Sequence, residues 1–115
     1  MNVVSTLKKN SDFRRLYSKG KSAVSPFMVV YCRRSPTRVG RVGYTVSVKL
    51  GHAVVRNRVR RRLREIYRLS RHLLKPGWDI VIVARSRSVD APYEKLEGAF
   101  LELCGKLGLF AEEKS

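Results

Sequence analysis

Apolar and polar positions along the chain change period several times, and each change marks an element. Phe13, Leu16 and Tyr17 recur at three- and four-residue spacing, which puts them on one helix face. That spacing predicts a helix over 12–19, with Ser11 as N-cap, Asp12 in the first turn and Gly20 as the stop. Residues 27–32 form a short apolar run rich in strand formers, opened by Pro26. After a polar turn with Pro36, Val42, Tyr44, Val46 and Val48 alternate with Arg41, Gly43, Thr45 and Ser47. Strict alternation of this kind predicts a half-buried strand. The simplest pairing of the two strands is an antiparallel hairpin closed around Ser35-Pro36.

Lys49-Leu50-Gly51 breaks the alternation, and a helical pattern then runs over 53–74 to a stop at Lys75-Pro76-Gly77. Residues 78–84 read as a third strand, apolar enough to be central. Pro92 suits the first turn of a last helix, whose face is Tyr93, Leu96, Phe100, Leu103 and Leu107. Gly105 and Gly108 are expected to fray its end. The order α, β, β, α, β, α implies an α+β fold, a sheet with helices packed on it.

Composition narrows the function. The chain has 115 residues, 25 Lys+Arg against 9 Asp+Glu, and a net charge of +16. The length suits a single domain spanning 1–115. A hydrophobic content of 43% excludes a disordered basic tail. Such a charge favours polyanions, because each neutralised phosphate releases condensed counterions. Nucleic acid ranks first among them and an anionic membrane surface second. Cys32 and Cys104 stand far apart, outside any CxxC pair, which argues against a zinc ribbon or disulfide framework. With no signal-like stretch at the start and no spanning apolar run, a reducing, cytoplasmic setting is expected.

Most of the charge asymmetry sits in 56–71, with eight arginines and one acid, Glu65. On a helical wheel Val55, Val59, Leu63 and Ile66 fall within about 80° of one another, a core stripe. Arg56, Asn57, Arg60, Arg61, Arg64, Arg68 and Arg71 spread over the opposite side, and Arg58 and Arg62 take the margins. An ordinary solvated face would mix signs. A wall of guanidinium forks suits bidentate phosphate contacts and stacking on bases. A membrane-surface helix fits less well, since its apolar stripe is needed to cover the sheet.

Lys49-Leu-Gly-His-Ala-Val-Val-Arg56-Asn57-Arg58-Val-Arg60-Arg61-Arg62-Leu-Arg64 resembles the arginine–asparagine–arginine signature of the bacterial ribonuclease P protein subunit, with Arg60 where lysine is common. Segments 7–20, 41–47 and 78–85 resemble the family's first helix and the strands flanking the signature, so the resemblance spans nearly the whole chain. It implies a two-layer α–β sandwich, also found in a ribosomal protein domain, with a left-handed β–α–β crossover that generic rules would not favour. It also implies an activity: a holoenzyme in which a catalytic RNA with bound Mg²⁺ removes the 5′ leader of precursor tRNA, assisted by a protein that holds no metal and no catalytic residue. By resemblance Lys49, Arg56, Asn57, Arg58, Arg60, Arg61, Arg64 and Arg68 face the catalytic RNA. Phe13, Tyr17 and Tyr31 line a cleft for the single-stranded leader, with Ser22, Arg14, Lys8 and Lys9 nearby. Single strands are held by basic grooves with aromatic platforms, which suits that role, although the same aromatics also serve as ordinary core.

Other motifs carry less. Gly20-Lys21-Ser22 resembles the end of a phosphate loop, but the required earlier glycine is Arg15. His52 and His72 lack ligand partners at metal spacing, and Asp12, Asp79 and Asp90 form no carboxylate pair. Cys32, Cys104 and Trp78 are expected to pack. The rival readings are a general RNA-binding protein of ribosomal type, a DNA regulator with the arginine helix in a major groove, and a protein-only nuclease.

Overall fold

A computed structural model describes residues 5–6, 10–37 and 39–111. Five strands form one sheet: β1 (Ser5–Thr6), β2 (Lys21–Val24), β3 (Met28–Arg34), β4 (Arg41–Thr45) and β5 (Trp78–Ala84). The helices are α1 (Asn10–Lys19), α2 (Ala53–Ser70) and α3 (Tyr93–Lys106). The strand order is β1-β4-β5-β3-β2. β5 is central, as its apolar run predicts: Ile80, Val81 and Ile82 are all buried, so both of its faces need cover.

That centrality overturns the expected hairpin. β5 lies between β3 and β4, antiparallel to the first and parallel to the second. The strand apolar on both faces takes the position with two neighbours, and β4 reaches its other side through the connection 35–40. That connection passes close to the start of β5: a Cβ on Gly40 would lie 2.8 Å from the Trp78 carbonyl oxygen. The hairpin partner of β3 is instead β2, a strand absent from the sequence reading. Their turn is fastened by Ser25, whose Oγ accepts from the backbone N–H of Phe27 and of Met28, each at 3.1 Å.

The two sheet faces are unequal. Met28, Val30, Cys32, Ile80, Ile82 and Ala84 pack with Val59, Leu63 and Ile66 of α2 and Leu96, Phe100 and Leu103 of α3. This sheet-and-helix pair is the main sandwich, and β4–α2–β5 is its parallel crossover. On the other face, among the described residues, only α1 packs, with Leu16 and Phe13 against Val81, Val83 and Tyr31. Cys32 and Cys104 are free thiols in the larger core, and Trp78 packs against its margin.

Two glycines act differently from expectation. Gly20 follows α1 without a positive φ. Its missing side chain permits close approach, since a Cβ there would lie 2.6 Å from the Leu16 carbonyl oxygen and 2.7 Å from that of Cys32. Gly108, at φ 70°, closes α3 rather than fraying it. Leu109 N–H donates to the Cys104 carbonyl and Gly108 N–H to that of Gly105, a Schellman pair that seats Leu109 in the core.

Candidate nucleic-acid interface

Two surfaces follow from this architecture, one on α2 and one on the open sheet face. Burying Val59, Leu63 and Ile66 fixes the roll of α2, so the polar side of the helix must face away from the sheet. Asn57, Arg58, Arg61, Arg64 and Arg68 are exposed, and Arg56 and Arg60 half-exposed. Arg56 Nε donates to the Gly51 carbonyl (3.2 Å), and Arg60 Nη1 to Asn57 Oδ1 (2.9 Å). The Arg64 guanidinium carbon lies 6.0 Å from the centre of the Tyr44 ring, at the outer limit of a cation–π contact. Burial pushes the Tyr44 hydroxyl pKa up, so the ring stays neutral beside that cation. Lys49 is exposed in the turn before α2, where Ser47 Oγ accepts from its backbone N–H at 3.2 Å. The first turn of α2 holds no acid, so the helix dipole adds to the positive field there.

Arg62 is half-buried on the margin, as expected, but does not reach out into solvent. Its Nη1 donates to the Ala91 carbonyl at 2.8 Å, which ties α2 to the segment before α3. Arg68 is ion-paired with Glu65. Among the described residues no other arginine of 56–71 has an acid partner, so the wall keeps nearly all its charge.

The second surface is the face that α1 leaves open. Tyr17, 41% exposed, stands edge-on to Tyr31 with ring centres 4.8 Å apart, and Phe13 lies 6.4 Å from Tyr17. Ser22 is the cross-strand neighbour of Tyr31, so strand register brings the two together. Phe13 and Tyr31 pack against the small core under α1. Arg14 is exposed on α1. Lys8 and Lys9 lie outside the described residues.

Thr45, Arg85 and Arg87 extend this surface beyond the sequence reading. Tyr17 Oη and Thr45 Oγ1 share a hydrogen bond of 3.1 Å that braces α1 against β4. A depression lined by Val24, Ser25, Pro26, Arg85, Ser86 and Arg87 adds two further cations. Only the pairing of β2 with β3 and of β3 with β5 could have located it. Asp79 is fully buried and receives Arg41 Nη2 at 3.0 Å. Among the described residues no group of three or more His, Cys, Asp or Glu could hold a metal, and no helix is long and apolar enough to cross a membrane.

An α+β sandwich with an unneutralised arginine helix on one side and an aromatic sheet face on the other defines a small basic protein built for polyanions. Comparison with known proteins identifies it further. The family model for Ribonuclease P matches residues 1–108. The ribonuclease P protein component of Alkaliphilus oremlandii is 43% identical over 109 residues, covering 95% of this chain and 96% of the relative. That of Clostridioides difficile is 44% identical over 98 residues, covering 84% and 86%. Among solved structures, the RNase P protein of Staphylococcus aureus superposes with a TM-score of 0.85 at 30% identity, covering 95% of this chain and 100% of that one. The RNase P protein from Thermotoga maritima superposes with a TM-score of 0.76 at 27% identity, covering 85% and 93%. A mutant of the S. aureus protein, described as having defective mRNA degradation activity, also superposes, with a TM-score of 0.84 at 31% identity, covering 91% of this chain and 89% of that one. The chain belongs to the ribonuclease P protein family and is a protein component of that ribonucleoprotein.

Proposed function

We propose that the chain divides its RNA contacts between its two surfaces. α2, with Lys49 before it, binds the catalytic RNA through Arg56, Asn57, Arg58, Arg60, Arg61, Arg64 and Arg68. The α1 face binds the single-stranded 5′ leader of precursor tRNA through Phe13, Tyr17, Tyr31, Ser22 and Arg14. Arg85 and Arg87 add phosphate contacts at its end. The observation that carries this reading is the separation itself: a charged face on α2, and a stacked aromatic set on the sheet face behind it. Hydrolysis is assigned to the RNA and its bound Mg²⁺. The protein contributes by screening RNA–RNA repulsion and by adding affinity that only a leader-bearing substrate receives. The proposed setting is the cytoplasm.

A paired set of variants tests the division. Arg56, Arg60, Arg61 and Arg64 changed together to alanine should prevent assembly with the catalytic RNA. Tyr31→Ala should assemble normally and lose preference for precursor over mature tRNA. Loss of assembly by Tyr31→Ala would contradict the division.

A second reading, RNA degradation by the chain itself, is favoured by the description of the S. aureus mutant. Cleavage of RNA by the protein without the catalytic RNA is its test.

A further inference from the structure

The two most exposed large apolar side chains among the described residues are Val54, 81% open, and Val48, 72% open. Both belong to the stretch that carries Lys49 and Arg56. Val54 stands in the first turn of α2, about 150° around the helix from the stripe of Val59, Leu63 and Ile66. It is followed at three- and four-residue spacing by Asn57 and Arg58, so it sits within the arginine wall. Helix preference does not account for it, since valine is a poorer helix former than alanine, arginine or lysine. At that exposure, packing does not account for it either. Val48 opens the single 3-10 turn Val48–Leu50 before α2. That turn is fastened at both ends: Ser47 Oγ accepts from the Lys49 backbone N–H, and Arg56 Nε donates to the Gly51 carbonyl, each at 3.2 Å. Both valines are thus held on fixed backbone among cations. Asn57 Oδ1 accepts from Arg60 Nη1 at 2.9 Å, which leaves the Asn57 amide N–H donors free. A single exposed valine is ordinary on any surface. Two of them at the highest exposure in the chain, on the face with the least acid, call for a partner that is both anionic and partly apolar.

We propose that Val48 and Val54 form the dry, non-ionic part of the RNA interface: they lie against the ribose edge of a paired segment of the catalytic RNA, in its minor groove, with Asn57 donating to a 2′-hydroxyl and Arg58 and Arg61 on the flanking phosphates. The argument is one of shape. The major groove of A-form RNA is too deep and narrow for protein side chains to read, whereas its minor groove is wide, shallow and lined with 2′-hydroxyls. Short valines beside long arginines match a shallow floor with phosphates at its rim. The arginines hold a polyanion of any kind, so they position without specifying. The valines and Asn57 respond to the sugar, so they supply preference for RNA over DNA. The proposal rests on the reading that α2 binds the catalytic RNA.

The test is the affinity of the wild type and of variants for a bacterial ribonuclease P RNA at several salt concentrations, with thermal melting and sedimentation of the free chain alongside. Val54→Ala should weaken binding about three- to tenfold, the loss of one or two buried methyl groups. The log–log salt slope should not change, because no phosphate contact is removed. Melting should not fall, since alanine is the better helix former and the valine side chain is open. Val48→Ala should act in the same direction. Val54→Arg is the sharper variant: on a purely electrostatic wall an added cation tightens binding and steepens the slope, whereas against a sugar edge it weakens binding. Hydroxyl-radical cleavage of the RNA reads ribose exposure, and riboses of a paired segment protected by the wild type should reopen with Val54→Arg. No loss with Val54→Ala, tighter binding with Val54→Arg, or altered protection confined to unpaired nucleotides would overturn the proposal. So would a self-associated free chain that Val54→Arg dissociates with RNA affinity unchanged, which would assign the valines to a second copy. Arg61→Ala separates the two failures. If it leaves affinity and salt slope unchanged, the α2 reading itself has failed; if it flattens the slope while Val54→Ala has no effect, only the sugar contact has failed.

Discussion

Tyr17 and Tyr31 meet edge to face across the gap between α1 and β3, with ring centres 4.8 Å apart at 71°. The contact leaves Tyr17 partly open while its hydroxyl is anchored on Thr45. Two rings held at fixed angles on rigid elements lose little freedom when a base stacks on them. Tyr31→Ala should therefore weaken precursor tRNA binding by about 1–3 kcal/mol, the usual contribution of one stacked base. Binding of mature tRNA should not change. Tyr31→Phe keeps the ring and should keep the discrimination. Equilibrium binding to the two tRNAs checks all three.

Arg61 and Arg62 are neighbours in sequence with opposite expected phenotypes. Arg61 is exposed, whereas Arg62 holds the Ala91 carbonyl. Arg61→Ala should leave unfolding unchanged and flatten the log–log salt dependence of RNA binding by about 0.7–0.9, the loss of one phosphate contact. Arg62→Ala should lower stability by about 1.5–3 kcal/mol, as for a hydrogen bond from a charged group. Urea unfolding and salt titrations separate the two.

Gly20→Ala should push α1 away from β3. The new Cβ meets two backbone oxygens, which cannot swing aside as a flexible side chain would. The expected cost is about 1–3 kcal/mol, as for overpacking. Precursor preference should fall with it, because Phe13 and Tyr17 ride on α1. Thermal melting and tRNA binding on the same sample report both effects.

The buried thiols predict a decline in stability on the alkaline side. Burial pushes the Cys104 thiol up to about 12, and the thiol of Cys32 is raised by burial as well. A raised pKa in the folded state means that the folded chain holds its proton longer than the unfolded chain does. The stabilisation is complete below the ordinary thiol pKa of 9.0 and is lost as pH rises from there toward about 12. The urea midpoint should accordingly be flat between about pH 6 and 8 and fall above about 9. Cys104→Ala should make that fall shallower. At pH 8 a thiol reagent should label the native chain only as fast as it opens.

Much of this was readable in the residues. The strong 3.6-residue contrast of α2 identified Val59, Leu63 and Ile66 as core and the arginines as surface. The doubly apolar β5 announced its central place. β2 was invisible because only Ala23 of Lys21–Val24 packs inward, so the edge strand carries almost no pattern. The misplaced hairpin has a related cause. Alternation tells which face of a strand is buried but not which strand lies beside it. The arginine face was legible from its lack of acids, whereas the neighbourhood of Ser22 and Tyr31 needed strand register. Helical spacing set Arg62 on the margin and Arg61 on the open side, but that Arg62 is a strut depends on where the segment before α3 passes.

The most direct test of the account is cleavage of a precursor tRNA at low, near-physiological Mg²⁺ by the protein alone, the catalytic RNA alone, and the two together. The account predicts efficient cleavage at the mature 5′ end only in the mixture. Cleavage by the protein alone, or an RNA whose activity the protein does not raise, would contradict it.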